Sequence, residues 1–163
     1  ASNIEDFLAK MIKVEESHIE FDFFVVPVGP EPSIQRECLK TIQTLADIGI
    51  PGNKIRVVFN KVKEDAEEEF SGSFAYAKKT KNCIANPDCA IDDDEAFDML
   101  AARKMSIGAV VADKTDYRGM LRELNAKEGH EKEKAHYSDM HYLRGCCIAV
   151  DRNLQNTFDA LFK

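Results

Sequence analysis

The sequence predicts an α/β fold: three layers, with a mostly parallel sheet flanked by helices and a helical C-terminal extension. Two short apolar runs rich in β-forming residues, "FDFFVVPV" at 21–28 and Ile55–Asn60, are separated by a segment with helical spacing. A strand, a helix and a strand over about forty residues make a βαβ unit, in which the strands are parallel and the crossover is right-handed. A long helical pattern from about Glu131 to Phe162 predicts the extension.

The first apolar run, 21–28, is apolar at nearly every position, which predicts a central strand covered by helices on both sides. Pro27 cannot donate a ladder hydrogen bond, so we expect it at the end of this strand. Pro32 suits the first turn of the helix that follows, and Gly49 with Pro51 ends that helix. The helix should bury Ile34, Cys38, Ile42 and Leu45.

Several further elements follow from apolar spacing and capping residues. Residues 2–16 read as a helix with the apolar stripe Ile4, Phe7, Leu8, Met11 and Ile12, and residues 65–79 read as another. A short strand is predicted at Lys81–Ala85, ending at Asn86-Pro87, and a helix is predicted in "IDDDEAFDMLAARK" at 91–104.

The C-terminal part of the chain is predicted to be mainly helical. Residues Ile107–Ala112 fit either a strand or a buried loop, and Thr115 is expected to cap a helix that runs to about Lys127. In the last helix, His136 falls on the predicted buried stripe. The rest of that stripe is Met140, Leu143, Cys147, Val150, Leu154, Phe158 and Leu161.

Composition excludes several classes of protein. The net charge of −7 argues against direct nucleic-acid binding, because phosphate contacts need clustered Lys and Arg. No apolar run approaches the roughly 18 residues of a membrane span, and no signal-peptide pattern opens the sequence. Five cysteines at irregular spacing do not fit a secreted disulfide framework. Reduced thiols and a cytoplasmic location are therefore expected.

The polar pair Asn60-Lys61 follows the second apolar run, where ligands bind in open parallel sheets. An Asn side chain offers a donor and an acceptor that match the edge of a purine. A Lys stem can lie along the face of a base. The alternative is that Asn60 only ends the strand through a local side-chain turn.

The segment "FDFFVVPVGPEPSIQRECLKTIQTLADIGIPGNKIRVVFNKV", residues 21–62, resembles the ParA/MinD-like P-loop ATPases. It is most similar to their StbB-like or TraL-like branch of plasmid stability and conjugal transfer proteins. The resemblance implies that Asn60, with Lys61 beside it, recognises the nucleotide base. It also implies that "CIANPD" supplies a loop beside the base, which adds Asn86 and Pro87 to the nucleotide-binding residues. Intact members use ATP and Mg²⁺.

The chain departs from that family at the phosphate site. None of its eight glycines belongs to a G-x-x-x-x-G-K-[ST] loop, and the Walker B aspartate is missing too. Relative to the family, the chain begins about a third of the way in. It is expected to be either a C-terminal fragment or a relative without the catalytic half. We therefore expect no ATPase activity, and no bound cofactor, for this chain alone.

Other sites are less well supported by the residue patterns. Lys63 stands where a guanine-specific N-K-x-D motif needs Asp, which favours adenine. The acidic run 92–95 fits a helix start better than a Mg²⁺ or Ca²⁺ site, since it lacks the EF-hand spacing. His136 and His141 are five residues apart, so they do not face one zinc ion on a helix. No metal site is predicted.

Taken together, residues 1–127 are expected to be the C-terminal part of a ParA-like nucleotide-binding domain, and residues 128–163 an amphipathic helix. The expected function is the base-recognition half of an ATP site in plasmid partition, stability or conjugal transfer. The alternative is a non-catalytic α/β module for protein association. Either way, the partners expected are further copies of the chain, as a dimer or larger species, and a plasmid-partition or transfer protein.

Overall fold

A computed structural model describes residues 20–162 of the chain, so the helix predicted at 2–16 lies outside the described residues. The described residues fall into two compact units. The first comprises the chain up to Asp93 together with the chain from Asn156 onward, and the second is Asp94–Gln155.

The first unit is built on three strands and the helices between them. Its elements are β1 (Phe24–Val28), α1 (Pro32–Asp47), a 3₁₀ turn (Gly52–Lys54), β2 (Ile55–Val62), α2 (Ala66–Glu69), α3 (Ser71–Thr80) and β3 (Ile84–Asp92). The sheet order is β1-β2-β3, and both strand pairs are parallel. The predicted βαβ unit with parallel strands is confirmed.

The second unit consists of helices. They are α4 (Ala96–Arg103), α5 (Ile107–Ala112), α6 (Tyr117–Asn125) and the greater part of α7 (Glu131–Leu161), whose last residues from Asn156 belong to the first unit. The predicted long C-terminal helix is confirmed to within one residue at its end. No helix in the described part of the chain is long and apolar enough to cross a membrane.

The core of the first unit lies on one face of the sheet. Alternate residues of β1 and β2 pack there against α1 and α3, as the side-chain alternation of a strand requires. Pro32 stands at the start of α1, and Gly49, with a φ of 96°, follows its end. The buried residues of this face include Val26, Val28, Ile42, Leu45, Ile55, Val57, Phe59 and Phe70.

The end of α7 covers part of the opposite face. Leu161 packs with Val58 of β2 and Cys89 of β3, and the Thr157 hydroxyl donates to the Ala90 carbonyl oxygen at 2.7 Å. Both faces of the sheet are therefore flanked by helical segments, as predicted.

The position predicted for the first strand is wrong. β1 lies at an edge of the three-stranded sheet and not at its centre, and Val25 is 44% exposed. Pro27 pairs with Val58 inside β1, which a proline tolerates on an edge strand because its outer side needs no partner. The apolar pattern alone could not distinguish a buried strand from an edge strand with one open face.

Three predicted elements are also wrong, two in extent and one in type. The third strand is not confined to Lys81–Ala85 but runs from Ile84 to Asp92 through Asn86-Pro87. The helix predicted at 65–79 is divided at Phe70 into α2 and α3. The strand or loop predicted at Ile107–Ala112 is the helix α5, capped by the Ser106 hydroxyl, which accepts from the Ala109 N–H.

Tertiary contacts explain the remaining differences. Asp116, and not Thr115, caps α6, because Thr115 instead donates to the Asp113 carboxylate. In α7 the predicted stripe is buried at Met140, Leu143, Cys147, Val150 and Leu161. His136 is exposed, however, and Phe158 is 61% exposed while its neighbour Thr157 is buried.

A polar cluster joins the loop between α5 and α6 to α7 within the second unit. The Arg144 guanidinium donates to the carbonyl oxygens of Asp113 and Thr115 at 3.0 and 2.7 Å, and it lies over the Tyr117 ring. Thr115 and Tyr117 donate hydroxyl hydrogen bonds to Asp113, which lowers the pKa of that carboxyl to about 2. The cluster holds this irregular loop in place, because its donors form hydrogen bonds with backbone carbonyl groups that lie outside the helices.

Candidate functional site

A crevice opens where β1 and β2 end, the position at which parallel sheets bind ligands. Its volume is about 270 Å³. Asn60 and Lys61, the pair singled out by the sequence, both line it. The other lining residues are Pro27, Gly29, Pro30, Glu31 and Ile34.

The backbone at Lys61 explains how two consecutive residues reach one crevice. Consecutive side chains of a regular strand point to opposite faces. Lys61 has a φ of 60°, and the register with β3 shifts between Asn60 and Val62. This left-handed residue bends β2, so that the half-buried Asn60 and the exposed Lys61 line the same cavity. Left-handed Lys residues are uncommon and carry a conformational cost.

The loop after β2 is held by a carboxylate. Glu69 at the end of α2 accepts the backbone N–H groups of Lys63 at 2.9 Å and Glu64 at 2.8 Å. These hydrogen bonds, Glu64 first, lower the pKa of Glu69, because they favour its charged form. The segment just beyond Asn60-Lys61 is therefore fixed from the α2 side.

The loop after β1 is tied to the same helix. Gln35 of α1 donates from Nε2 to the Pro30 carbonyl oxygen at 3.0 Å and to the Glu69 carbonyl oxygen at 3.4 Å. One amide thus connects the loop after β1 to α2, and the Glu69 carboxylate of α2 holds the loop after β2. These hydrogen bonds lie within the protein, so they hold the crevice in shape without a ligand.

The chemistry of the crevice is mixed. Asn60 offers an amide donor and acceptor, and its side chain has no hydrogen-bond partner among the described residues. Lys61 brings a cation, and Glu31 brings a carboxylate that does not cap α1. Pro27, Pro30 and Ile34 are apolar. The arrangement suits a small planar group with one polar edge.

The second predicted pair, Asn86-Pro87, does not stand at a strand end. Val57 pairs with Ala85 and Phe59 with Ala90, so residues 86–89 form a bulge opposite Val58 in the middle of the β2–β3 ladder. The expectation that the strand ends at this pair is wrong. The register places Ile91, and not Asn86, beside Asn60.

The amide of Asn86 is already paired. Its Nδ2 donates to the Ala160 carbonyl oxygen of α7 at 3.4 Å, and its Oδ1 accepts the Asp88 N–H at 3.1 Å. Pro87 and Asp88 are exposed at the turn of the bulge. The contribution of Asn86 and Pro87 to nucleotide binding stays a prediction.

Sequence reasoning missed the residues that β1 and α1 contribute to the crevice. Gly29, Pro30 and Glu31 are not among the residues predicted from the sequence to bind a ligand, and Ile34 is predicted as a buried residue of α1. Ile34 is instead 40% exposed and lines the cavity. The predicted βαβ unit already implied these residues, because the loop after its first strand borders the same crevice as the end of its second strand.

A second cavity, of about 400 Å³, lies beside the start of β3 and is also lined by residues of α3. Phe74, Lys78, Cys83 and Ile84 are among its lining residues. Burial raises the pKa of the Cys83 thiol to about 11, so this cysteine is protonated and a poor nucleophile at neutral pH. All five cysteines are free thiols.

The acidic run before α4 has a structural role. The Asp94 carboxylate accepts the Ala96 N–H at 2.8 Å, and Asp92 is the last residue of β3. Within residues 20–162, no group of three His, Cys, Asp or Glu side chains is placed to hold a metal ion.

Comparisons of the chain with protein-family models, curated proteins and solved structures found no match. The resemblance to ParA/MinD-like ATPases therefore stays a prediction. The functional proposal therefore rests on the geometry of the crevice.

Proposed function

We propose that the chain is the base-recognition half of a ParA-like nucleotide site, with adenine held in the crevice between β1 and β2. The observation that carries the proposal is the Asn60 amide beside Lys61, which has no hydrogen-bond partner within residues 20–162 and lines a preformed cavity at the carboxyl ends of two parallel strands. A free amide at this position pairs with the edge of a base, and the Lys stem lies against its face.

The size of the cavity supports a base and not a whole nucleotide. Ligand pockets for drug-sized molecules usually enclose about 300–1,000 Å³. The crevice, at about 270 Å³, lies just below that range. Sugar and phosphates would extend outside it.

The charges of the crevice also support a base inside it and phosphates outside it. Glu31 places a carboxylate in the same crevice as Lys61, which disfavours a polyphosphate and tolerates a neutral base. The sequence also lacks a G-x-x-x-x-G-K-[ST] loop. We therefore expect the chain to bind the adenine end of ATP weakly and to leave the phosphates intact, in a role in plasmid partition, stability or conjugal transfer.

The test is a titration of the chain with adenosine and ATP, followed by amide chemical shifts. Shifts should concentrate at the crevice residues, with similar affinities for both ligands, and guanosine should bind less well. Asn60→Ala should weaken binding by about 1–3 kcal/mol, roughly five- to a hundred-fold, because it removes the hydrogen bonds to the base.

The matched control is Asn53→Ala. Asn53 is exposed in the 3₁₀ turn at the opposite end of β2, so its loss should not change adenosine affinity. Shifts scattered over the surface, or equal affinities of both variants for adenosine, would rule out a base site at Asn60. Turnover of ATP by carefully purified chain would contradict the expected inactivity.

The second candidate function, an association module, is favoured by exposed apolar residues on the first unit. Val25, Ile84 and Phe158 are 44%, 38% and 61% exposed. Light scattering separates the two functions, because a module for self-association forms concentration-dependent dimers or larger species whether or not adenosine binds. A clean monomer at high concentration would count against it.

A further inference from the structure

The cavity beside the start of β3 is larger than the crevice and takes no part in the function proposed above. Its volume of about 400 Å³ lies within the range of about 300–1,000 Å³ that ligand pockets usually enclose. Residues of α2, of α3 and of the segment 83–85 line it, and all of them belong to the first unit. We call it the β3 cavity.

Most of the lining of the β3 cavity is apolar. Phe74 and Ala77 of α3 are partly buried against the core of the first unit, and Ile84 is 38% exposed. Burial raises the pKa of the Cys83 thiol to about 11, so the thiol is protonated and adds no charge. Together with Ala85, these residues offer an apolar surface to a branched or aromatic group of a ligand.

Contacts within the protein keep the β3 cavity in shape. The Phe74 ring stacks on the fully buried Phe59 ring, with 4.6 Å between ring centres. Lys81, in the left-handed conformation, ends α3 by donating its N–H to the Ala77 carbonyl oxygen at 2.9 Å. The carbonyl group of Lys81 is in turn packed against Gly52. A ligand would therefore bind with little ordering of the site.

Two side chains of opposite charge complete the lining. Glu67 of α2 and Lys78 of α3 are both exposed residues of the β3 cavity. Neither has an ion-pair partner among the described residues, and they do not pair with each other. A ligand that carries both charges would form a charge-assisted hydrogen bond with each of them.

We propose that the β3 cavity binds an apolar amino acid in its zwitterionic form. The apolar side chain of the ligand lies against Phe74 and Ile84, its ammonium group pairs with Glu67, and its carboxylate pairs with Lys78. The proposal does not depend on the crevice or on its ligand.

Other classes of ligand fit this lining less well. A polyphosphate would meet the Glu67 carboxylate, which repels it. A purely apolar molecule would cover Lys78 and Glu67 without offering either of them a partner. A metal ion is not favoured either, because the described residues include no group of three His, Cys, Asp or Glu side chains placed to hold one.

The test is a titration of the full chain with leucine, followed by amide chemical shifts. The shifts should concentrate at residues 74–78 and 83–85, and the signals of Asn60 and Lys61 should not move. Isocaproate lacks the ammonium group of leucine, and isoamylamine lacks its carboxylate. Each should bind about threefold to fivefold more weakly than leucine, the upper part of the range for ion pairs that stay in contact with water.

Matched pairs of variants assign the two charges. Lys78→Met and Glu67→Gln should each lower leucine affinity by about threefold to fivefold. Lys79→Met and Glu68→Gln are the controls, because these neighbouring residues are also exposed but do not line the β3 cavity. Both controls should bind leucine as the wild type does, and unchanged urea midpoints verify that all four variants fold.

The analogues and the variants can be combined. Isoamylamine has no carboxylate, so Lys78→Met should not weaken its binding further, whereas Glu67→Gln should. Isocaproate should show the opposite pattern.

Three outcomes would overturn the proposal. The first is an absence of shifts at residues 74–78 and 83–85 up to about 10 mM leucine, a concentration at which a millimolar site is nearly saturated. The second is binding of isocaproate or isoamylamine as tight as that of leucine, because the site would then not recognise a zwitterion. The third is an equal loss of leucine affinity in Lys79→Met and Lys78→Met. A failure of adenosine to bind would overturn the crevice site and leave this proposal intact.

Discussion

Two asparagines on neighbouring strands of this protein have opposite surroundings. Asn60, at the end of β2, lines an open crevice, and its amide has no partner among the described residues. Asn86, in the bulge of β3, donates to Ala160 and accepts from Asp88. The difference teaches that residue type and strand position do not make a site. Asn60 is the better candidate because its amide lines a cavity and has no partner among the described residues.

The comparison extends to the backbone around the two asparagines. The crevice at the ends of β1 and β2 has space beside Gly29, whose nearest neighbour is the flexible Glu31 side chain. The entrance to β3 is closely packed, since the Lys81 carbonyl oxygen abuts Gly52. Substitutions in the open region should therefore act on binding, and those in the closed region on stability.

The largest effect is expected at Gly52. A Cβ there would lie 2.1 Å from the Lys81 carbonyl oxygen, so Gly52→Ala must displace backbone and should cost about 2–3 kcal/mol. In Gly29→Ala the added Cβ meets the Glu31 carboxylate at 3.0 Å, which can rotate away, and makes ordinary van der Waals contact with the Ile34 side chain at 3.5 Å. Urea unfolding measures both. A loss at Gly29 as large as at Gly52 would contradict the distinction between open and closed regions.

The next largest effect is a difference in stability between the variants Asn86→Ala and Asn60→Ala. Asn86→Ala removes hydrogen bonds to Ala160 and Asp88 and should lower the free energy of unfolding by about 1–2 kcal/mol. Asn60→Ala breaks no such bond, and we expect a change within about 0.5 kcal/mol. If thermal melts show the reverse order, the Asn60 side chain serves to end the strand, and the ligand site fails with it.

A smaller effect is expected at Thr157, which attaches α7 to β3. Its hydroxyl donates to the Ala90 carbonyl oxygen at 2.7 Å, and the residue is buried. Thr157→Val keeps the shape but loses this donor, at a cost of about 1 kcal/mol. Thr157→Ser retains the hydroxyl and serves as the control for the hydrogen bond. Equal unfolding midpoints of wild type and Thr157→Val would show that packing alone holds this contact.

The smallest expected effect concerns pH and the second unit. The pKa of Asp113 is lowered to about 2 by hydrogen bonds from Thr115 and Tyr117. Because the folded pKa lies below the unfolded value of about 3.9, its contribution to stability is present above pH 4 and is lost as the pH falls toward 2. Tyr117→Phe should move the pKa back up.

Carboxyl chemical shifts followed from pH 6 to pH 1.5 test this directly. A midpoint near 4 for Asp113 in the wild type would mean that the cluster of Asp113, Thr115 and Tyr117 does not persist in solution.

The sequence by itself determined the parallel βαβ unit, the end of α1 just before Gly49 and the long helix α7. These features rest on local causes: apolar periodicity, glycine's tolerance of positive φ, and the need of parallel strands for a crossover. It also singled out Asn60 and Lys61, because a polar pair at the end of an apolar strand is visible without a fold.

The tertiary structure alone decided the rest. The edge position of β1 depends on which strands pair, and the bulge at Asn86 depends on contacts with α7 that lie more than seventy residues away in the chain. The same holds for burial of Thr157 in place of Phe158, since a hydrogen bond to β3 overrides apolar periodicity. Long-range pairing of polar groups leaves no periodic trace in a sequence, which is why it appears only in the folded chain.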